Sequence, residues 1–333
     1  MSINVVHLRD VQARSKFFTV WERHRHTTVH WLVECFAEFL GVFFYVYAGA
    51  QIDPQGVGSQ VPFIVGPILS IDGLSSVLQI GLAYACGIIF AISICGATSG
   101  GHFNPAVTLT LVLFKGFPPF KAVRYMIAQI LGGYIACLLI YVQWHDLIKE
   151  SELVLAAAGS LDATLFTPQG PAGAFALYVI PGLNLGGVFL NEFVTDVFLA
   201  LVIWGSIDPT NVLIPPQQAP FVIAFAYAAA IWGFATPALA ANPARDVGGR
   251  LAAMTIWGTK AAGGRYAAIA ALTSIPATMV GVFIHELFLT DYARVIPSSQ
   301  REYMDVHHNH AHAPGKAASD VSSNEKADLE HNA

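Results

Sequence analysis

SGGHFNPAVTLTLVLF, residues 99–114, opens with small and polar residues, reaches Asn104, Pro105 and Ala106, and then runs mostly apolar for about ten residues, half of what a helix needs to cross a bilayer. Asn followed by Pro is a strong helix start, because the asparagine side chain caps the first turn and proline lacks only an N–H that the helix leaves unpaired anyway. ALAANPARDVGGRLAA, residues 238–253, repeats the pattern with Asn242, Pro243 and Ala244, 138 residues further on, and again leads into a short helical stretch. One Asn-Pro-Ala is an ordinary helix start. Two at equivalent places in one chain call for an explanation at the level of the fold.

Composition supplies the frame. The 333 residues are 55% hydrophobic and only 12% charged, with mean hydropathy +0.55, whereas a soluble domain carries charge on about a quarter of its residues. Windows of roughly 20 apolar residues predict six membrane spans at 31–50, 77–95, 122–141, 185–207, 220–234 and 267–288, the fifth being the weakest. The first 30 residues hold Arg9, Arg14, Lys16, Arg23 and Arg25 without a leading apolar core, so they read as a retained N-terminal segment and not as a cleaved signal. Twelve of the 17 Lys and Arg then fall on the side of both termini, which the positive-inside rule assigns to the cytoplasm, with a plasma membrane as the default. Cys35, Cys86, Cys95 and Cys137 lie inside spans without CxxC spacing. No disulfide framework, metal site or cofactor is expected from them.

The chain repeats itself. AEFLG with Glu38 in the first span matches NEFVT with Glu192 in the fourth, and each is followed by a span, an Asn-Pro-Ala and a further span. Three spans plus a half-helix, twice over, form an inverted repeat (about 31–144 and 185–289), with the site expected at the midplane between the halves. Irregular backbone at that depth survives only where it is buried or lines a wet cavity. Two half-helices meeting head to head each bring about half a positive charge. Cations are then repelled, while the asparagine amides offer donors to a passing oxygen. Glu38 and Glu192 are costly inside spans; one reading has them accept hydrogen bonds from the re-entrant loops, and the rival is a proton relay. Glu34 and Asp196 lie four residues from them on the same helix faces, and Asp196 has no mate in the other half. His102 reads as a packed histidine bonded to backbone in preference to a pore contact.

On SGGHFNPAVT, NPARDVGGR and the paired AEF/NEF glutamates, residues 31–288 resemble the major intrinsic protein family, the aquaporins and aquaglyceroporins. The resemblance implies an all-α membrane protein with a right-handed bundle of six transmembrane helices plus two re-entrant half-helices, a pore in each subunit and a homotetramer. Spacing from the two asparagines carries the family's aromatic/arginine constriction over to Tyr84, Ala230, Leu239 and Arg245. Water-strict members usually place His where Ala230 stands, so a wider gap is implied. Asp246 with Arg250 looks like the pattern of glycerol-conducting members; an acid in a first turn with an i,i+4 partner is the plainer reading, and both can hold. Glycerol facilitators set two aromatics opposite the arginine, whereas this chain has Tyr84 and Leu239, which points to a filter at least as wide and less choosy.

The function expected is a passive channel for glycerol and water, with urea, hydrogen peroxide and ammonia as further small neutral solutes, excluding protons and ions. The alternatives are a water-selective channel or a proton-coupled secondary transporter of a small polyol. An intramembrane enzyme lacks any Ser/His/Asp or metal-ligand constellation on the spans, and nucleic acid is not an expected partner. Residues 290–333 form a polar tail predicted to be disordered. Its HHNHAH run at 307–312 reads as solvated surface ahead of a metal- or pH-sensing tract. The connections 51–76 and 145–184 are long enough to be shaped outer loops.

Overall fold

In an apolar slab every backbone N–H and C=O must find its partner within the segment, which leaves helices as the natural solution for these apolar runs. A computed structural model describes residues 6–50, 60–71, 75–235 and 238–311, with backbone alone at 9, 10, 50 and 307–311. The principal elements are α1 (Lys16–Thr27), α2 (His30–Ala50), α3 (Gln60–Ile68), α4 (Val77–Ser99), α5 (Pro105–Lys115), α6 (Pro119–Ala157), α7 (Leu185–Ile207), α8 (Ala219–Phe234), α9 (Pro243–Trp257), α10 (Tyr266–Leu272), α11 (Ser274–Ile284) and α12 (Ser298–Ala311). Among the described residues there is no strand.

Among the described residues five segments are long and apolar enough to cross a membrane, namely α2, α4, α6, α7 and the run Tyr266–Leu289 that joins α10 and α11. The fifth predicted span is the 16-residue α8, about 24 Å at 1.5 Å per residue. The third span overruns its predicted end at residue 141, because α6 is 39 residues long. Charged Lys149, Glu150 and Glu152 end the apolar window there without ending the helix, and Lys149 donates to Glu152 at 2.7 Å. Part of the 145–184 connection is therefore helix. The tail also departs from expectation, since Ser298–Ala311 is helical, with the Gln300 amide donating to the Asn211 carbonyl at 2.7 Å. The side chains at 307–311 and all of 312–333, including the histidine run, lie outside the described residues.

The two halves are interleaved. Within each half the first and third spans pack together, α2 with α6 and α7 with α11, while α4 packs on α8 across the halves. Each half-helix seats against the third span of the other half, α5 on α11 and α9 on α6. The α6–α9 seat depends on missing side chains: a Cβ at Gly248 would lie 2.7 Å from the Tyr134 nitrogen, and one at Gly133 2.9 Å from the Ala244 carbonyl.

Candidate functional site

Both re-entrant segments start as the sequence dictates. Asn104 Oδ1 accepts from the Ala106 N–H at 2.8 Å, Asn242 Oδ1 accepts from the Ala244 N–H at 2.8 Å, and Pro105 and Pro243 occupy the first helical positions. The other side of each amide crosses the pseudo-symmetry axis. Asn242 Nδ2 donates to the Phe103 carbonyl at 2.9 Å, and Asn104 Nδ2 donates to the Ala241 carbonyl at 3.3 Å. The two half-helices therefore meet tip to tip, each tied to the residue before the other's cap.

That preceding residue is in the left-handed region in both halves, Phe103 at φ 48° and Ala241 at φ 54°, which carries a real steric cost for a residue with a Cβ. The buried glutamates hold it. Glu38 accepts from the His102 N–H at 3.0 Å, the Phe103 N–H at 2.7 Å, the Ser99 hydroxyl at 2.6 Å and the Gln129 amide at 2.7 Å. Glu192 accepts from the Ala240 N–H at 2.9 Å and the Ala241 N–H at 2.7 Å. With these N–H groups turned toward the carboxylates, the loop carbonyls are left to face the other way.

His102 departs from the backbone-bonded expectation. Its Nδ1 lies 3.2 Å from the Thr108 hydroxyl, which donates its own proton to the Asn104 carbonyl at 3.0 Å. With the hydroxyl's own proton so used, Nδ1 is the donor in this pair. The ring sits against Phe117 and Tyr125, and it also borders the cavity.

Tyr84, Ala230, Leu239 and Arg245 all line one cavity of about 910 Å³, together with Asn104 and Asn242. Arg245 is 6% exposed, and three acceptors fix its guanidinium: the Tyr84 hydroxyl at 3.3 Å from Nε, the Phe175 carbonyl at 3.1 Å from Nη1 and Gln60 Oε1 at 2.7 Å from Nη2. Ala230 contributes only a methyl and packs with Leu199, Ala226 and Ala241. Asp246 and Arg250 form a doubly bonded pair at 2.6 and 3.1 Å. Arg250 also donates to the Ala262 and Leu177 carbonyls, so the i,i+4 pair and the loop brace coexist.

Sequence reasoning missed Gln60, Gln129 and the Phe175 carbonyl. A polar residue inside the 122–141 span was a usable signal for Gln129; a loop glutamine and a backbone carbonyl give none. Glu34 accepts from Lys121 at 2.8 Å. Asp196 is buried, with the Ser274 side chain beside it. The residue four after the glutamate in the first half is Val42, also buried, so the extra carboxyl belongs to the second half alone.

Residues 25–284 match the model of the family described as Major intrinsic protein. The chain belongs to that family. This member of the major intrinsic proteins is thus an integral membrane channel, in a family whose channels pass small neutral solutes such as water and glycerol. It is 58% identical over 308 residues to Aquaporin-3 of Laccaria bicolor, covering 92% of this chain and 91% of that one. It is 34% identical to Aquaglyceroporin-2 of Rhizophagus irregularis over 224 residues, which is 66% of this chain and 64% of that protein. The X-ray structure of the aquaglyceroporin from Plasmodium falciparum shares the fold, with TM-score 0.64 and 20% identity across 78% of this chain and 97% of that one.

Proposed function

We propose that this channel passes glycerol, water and other small uncharged solutes, urea, hydrogen peroxide and ammonia among them, while excluding protons and ions. Its narrowing is formed by Tyr84, Ala230, Leu239 and Arg245. The observation that carries the reading is the small Ala230 methyl in the same cavity wall as a guanidinium immobilised by three acceptors. An imidazole at position 230 would fill space that a methyl leaves for a carbon backbone. Arg245 supplies donors to a solute hydroxyl and a charge that repels cations.

Deeper in, each asparagine amide spends one N–H on the cross-lock; Asn242 keeps its second for a passing oxygen, while that of Asn104 has the Tyr227 hydroxyl at 3.5 Å as a long partner that such an oxygen can replace. The two half-helix N-termini add their positive ends at the same level, so a neutral hydroxyl is stabilised where a hydronium is repelled. Glu38 and Glu192 act as braces for the loops in this reading, because every acceptor bond found for them goes to a loop N–H or to a neutral side chain. Ala106, Ala244, Pro105 and Pro243 shape the two tips, and His102, Asp246 and Arg250 hold the surrounding loops. The channel assembles as a homotetramer in the plasma membrane with both termini in the cytoplasm.

The test is stopped-flow light scattering on proteoliposomes re-swelling in glycerol. A passive pore gives a rate linear in glycerol concentration, weakly dependent on temperature and indifferent to an imposed proton gradient. Saturation at modest glycerol together with gradient dependence would instead make the protein a transporter.

A further inference from the structure

The orientation of Arg245 decides which of its five N–H groups face the solute, and its shortest bond does not come from a membrane span. Gln60, the first residue of α3 in the connection between the first two spans, accepts from Nη2 at 2.7 Å. The same Oε1 lies 3.4 Å from the Tyr84 hydroxyl, which donates to it. Gln60 Nε2 in turn donates to the Gly173 carbonyl at 3.1 Å, two residues before the Phe175 carbonyl that takes Nη1. One half-buried amide thereby joins the arginine, the tyrosine and the Pro171–Ala174 turn, and it borders the cavity beside Tyr84 and Arg245.

We infer that Gln60 is a specificity-determining residue of this channel, latching the Arg245 guanidinium from the outer loop and so fixing which of its N–H groups are left for a solute. The inference rests on the narrowing proposed above. Three of the five Arg245 N–H groups are spent on Tyr84, Phe175 and Gln60, and the latch sets the direction of the remaining two, which neighbouring hydroxyls of a polyol must meet together. Water depends less on that direction, since one small molecule can turn to meet a single donor. An amide oxygen also leaves the arginine charge uncompensated, so cations stay repelled.

The experiment compares the glycerol-to-water permeability ratio of the full-length channel in proteoliposomes with those of Gln60→Met, Gln60→Asn and Gln60→Glu, with Ala230→His run alongside. Met removes the acceptor and Asn withdraws it by one methylene. Both are expected to lower the ratio, Met by about tenfold, the worth of a hydrogen bond to a charged group at the low end. Glu keeps an acceptor for Nη2, so its ratio stays nearer the parent's. Should the Met protein fail to assemble, the Asn protein carries the same expectation. An unchanged ratio in these variants while Ala230→His lowers it would overturn the role of Gln60 and leave the narrowing intact. No change in any of the four would overturn both. An equal fall in Met and Glu would reduce Gln60 to a tether for the Gly173 turn and overturn the inference.

Discussion

At Glu38 four donors converge on one buried carboxylate. Glu38→Gln would replace one accepting oxygen by an NH2 facing buried N–H and O–H donors, and is expected to cost about 3 kcal/mol of stability. Thermal unfolding in detergent reads this, and an unchanged midpoint would contradict the brace. At Ala241 the left-handed backbone makes glycine the easier residue. Ala241→Gly is expected to gain about 1 kcal/mol, whereas Ala241→Val should lose more than that; a glycine variant that melts earlier would show the methyl's packing outweighing the strain. The repeated residues at this scale were legible because each occurs twice: Asn104 with Asn242, Glu38 with Glu192. Gln60 was not, since one polar residue in a loop has no period to betray it. Nor was the Phe175 carbonyl, which is backbone and carries no side-chain signal, or the His102 partner, a hydroxyl six residues on.

Half-length is the decisive property of α5 and α9, and length was the easiest element feature to read, because capping and the shortness of the apolar run are local. The seat is harder to see in a sequence. Gly133 and Gly248 stand in different halves of the chain, and only packing shows that their missing side chains admit α9 against α6. Gly248→Leu puts side-chain atoms where backbone already lies, so α9 is expected to be displaced, with loss of glycerol and water flux together and a lower unfolding midpoint. Loss of one flux alone would point to a filter effect and contradict a seating role. The overrun of α6 and the helix at Ser298–Ala311 escaped the sequence reading for one reason. Hydropathy windows end where charge begins, while helices continue through Lys, Glu and Gln, which are good helix formers.

Across the whole molecule the inverted repeat was legible and its exchange of half-helices was not, since a pattern of spans fixes order but not which half seats which tip. The exchange makes the midplane a joint product of both halves, and the asparagine cross-lock is its smallest expression. Symmetry fails where selectivity is expected: Arg245 with its three acceptors belongs to the second half, and the proposed narrowing draws on α4, α8, the second loop and the outer connections together. A wide filter at Ala230 is the central claim, and Ala230→His tests it most directly. Glycerol and water permeabilities of the parent and Ala230→His channels would be measured side by side by stopped-flow in the same lipid. Filling the gap with an imidazole is expected to cut glycerol flux by on the order of tenfold, the cost of a misfitting group in a shaped pocket, while water falls much less. Equal losses of both, or glycerol flux already absent in the parent, would contradict it.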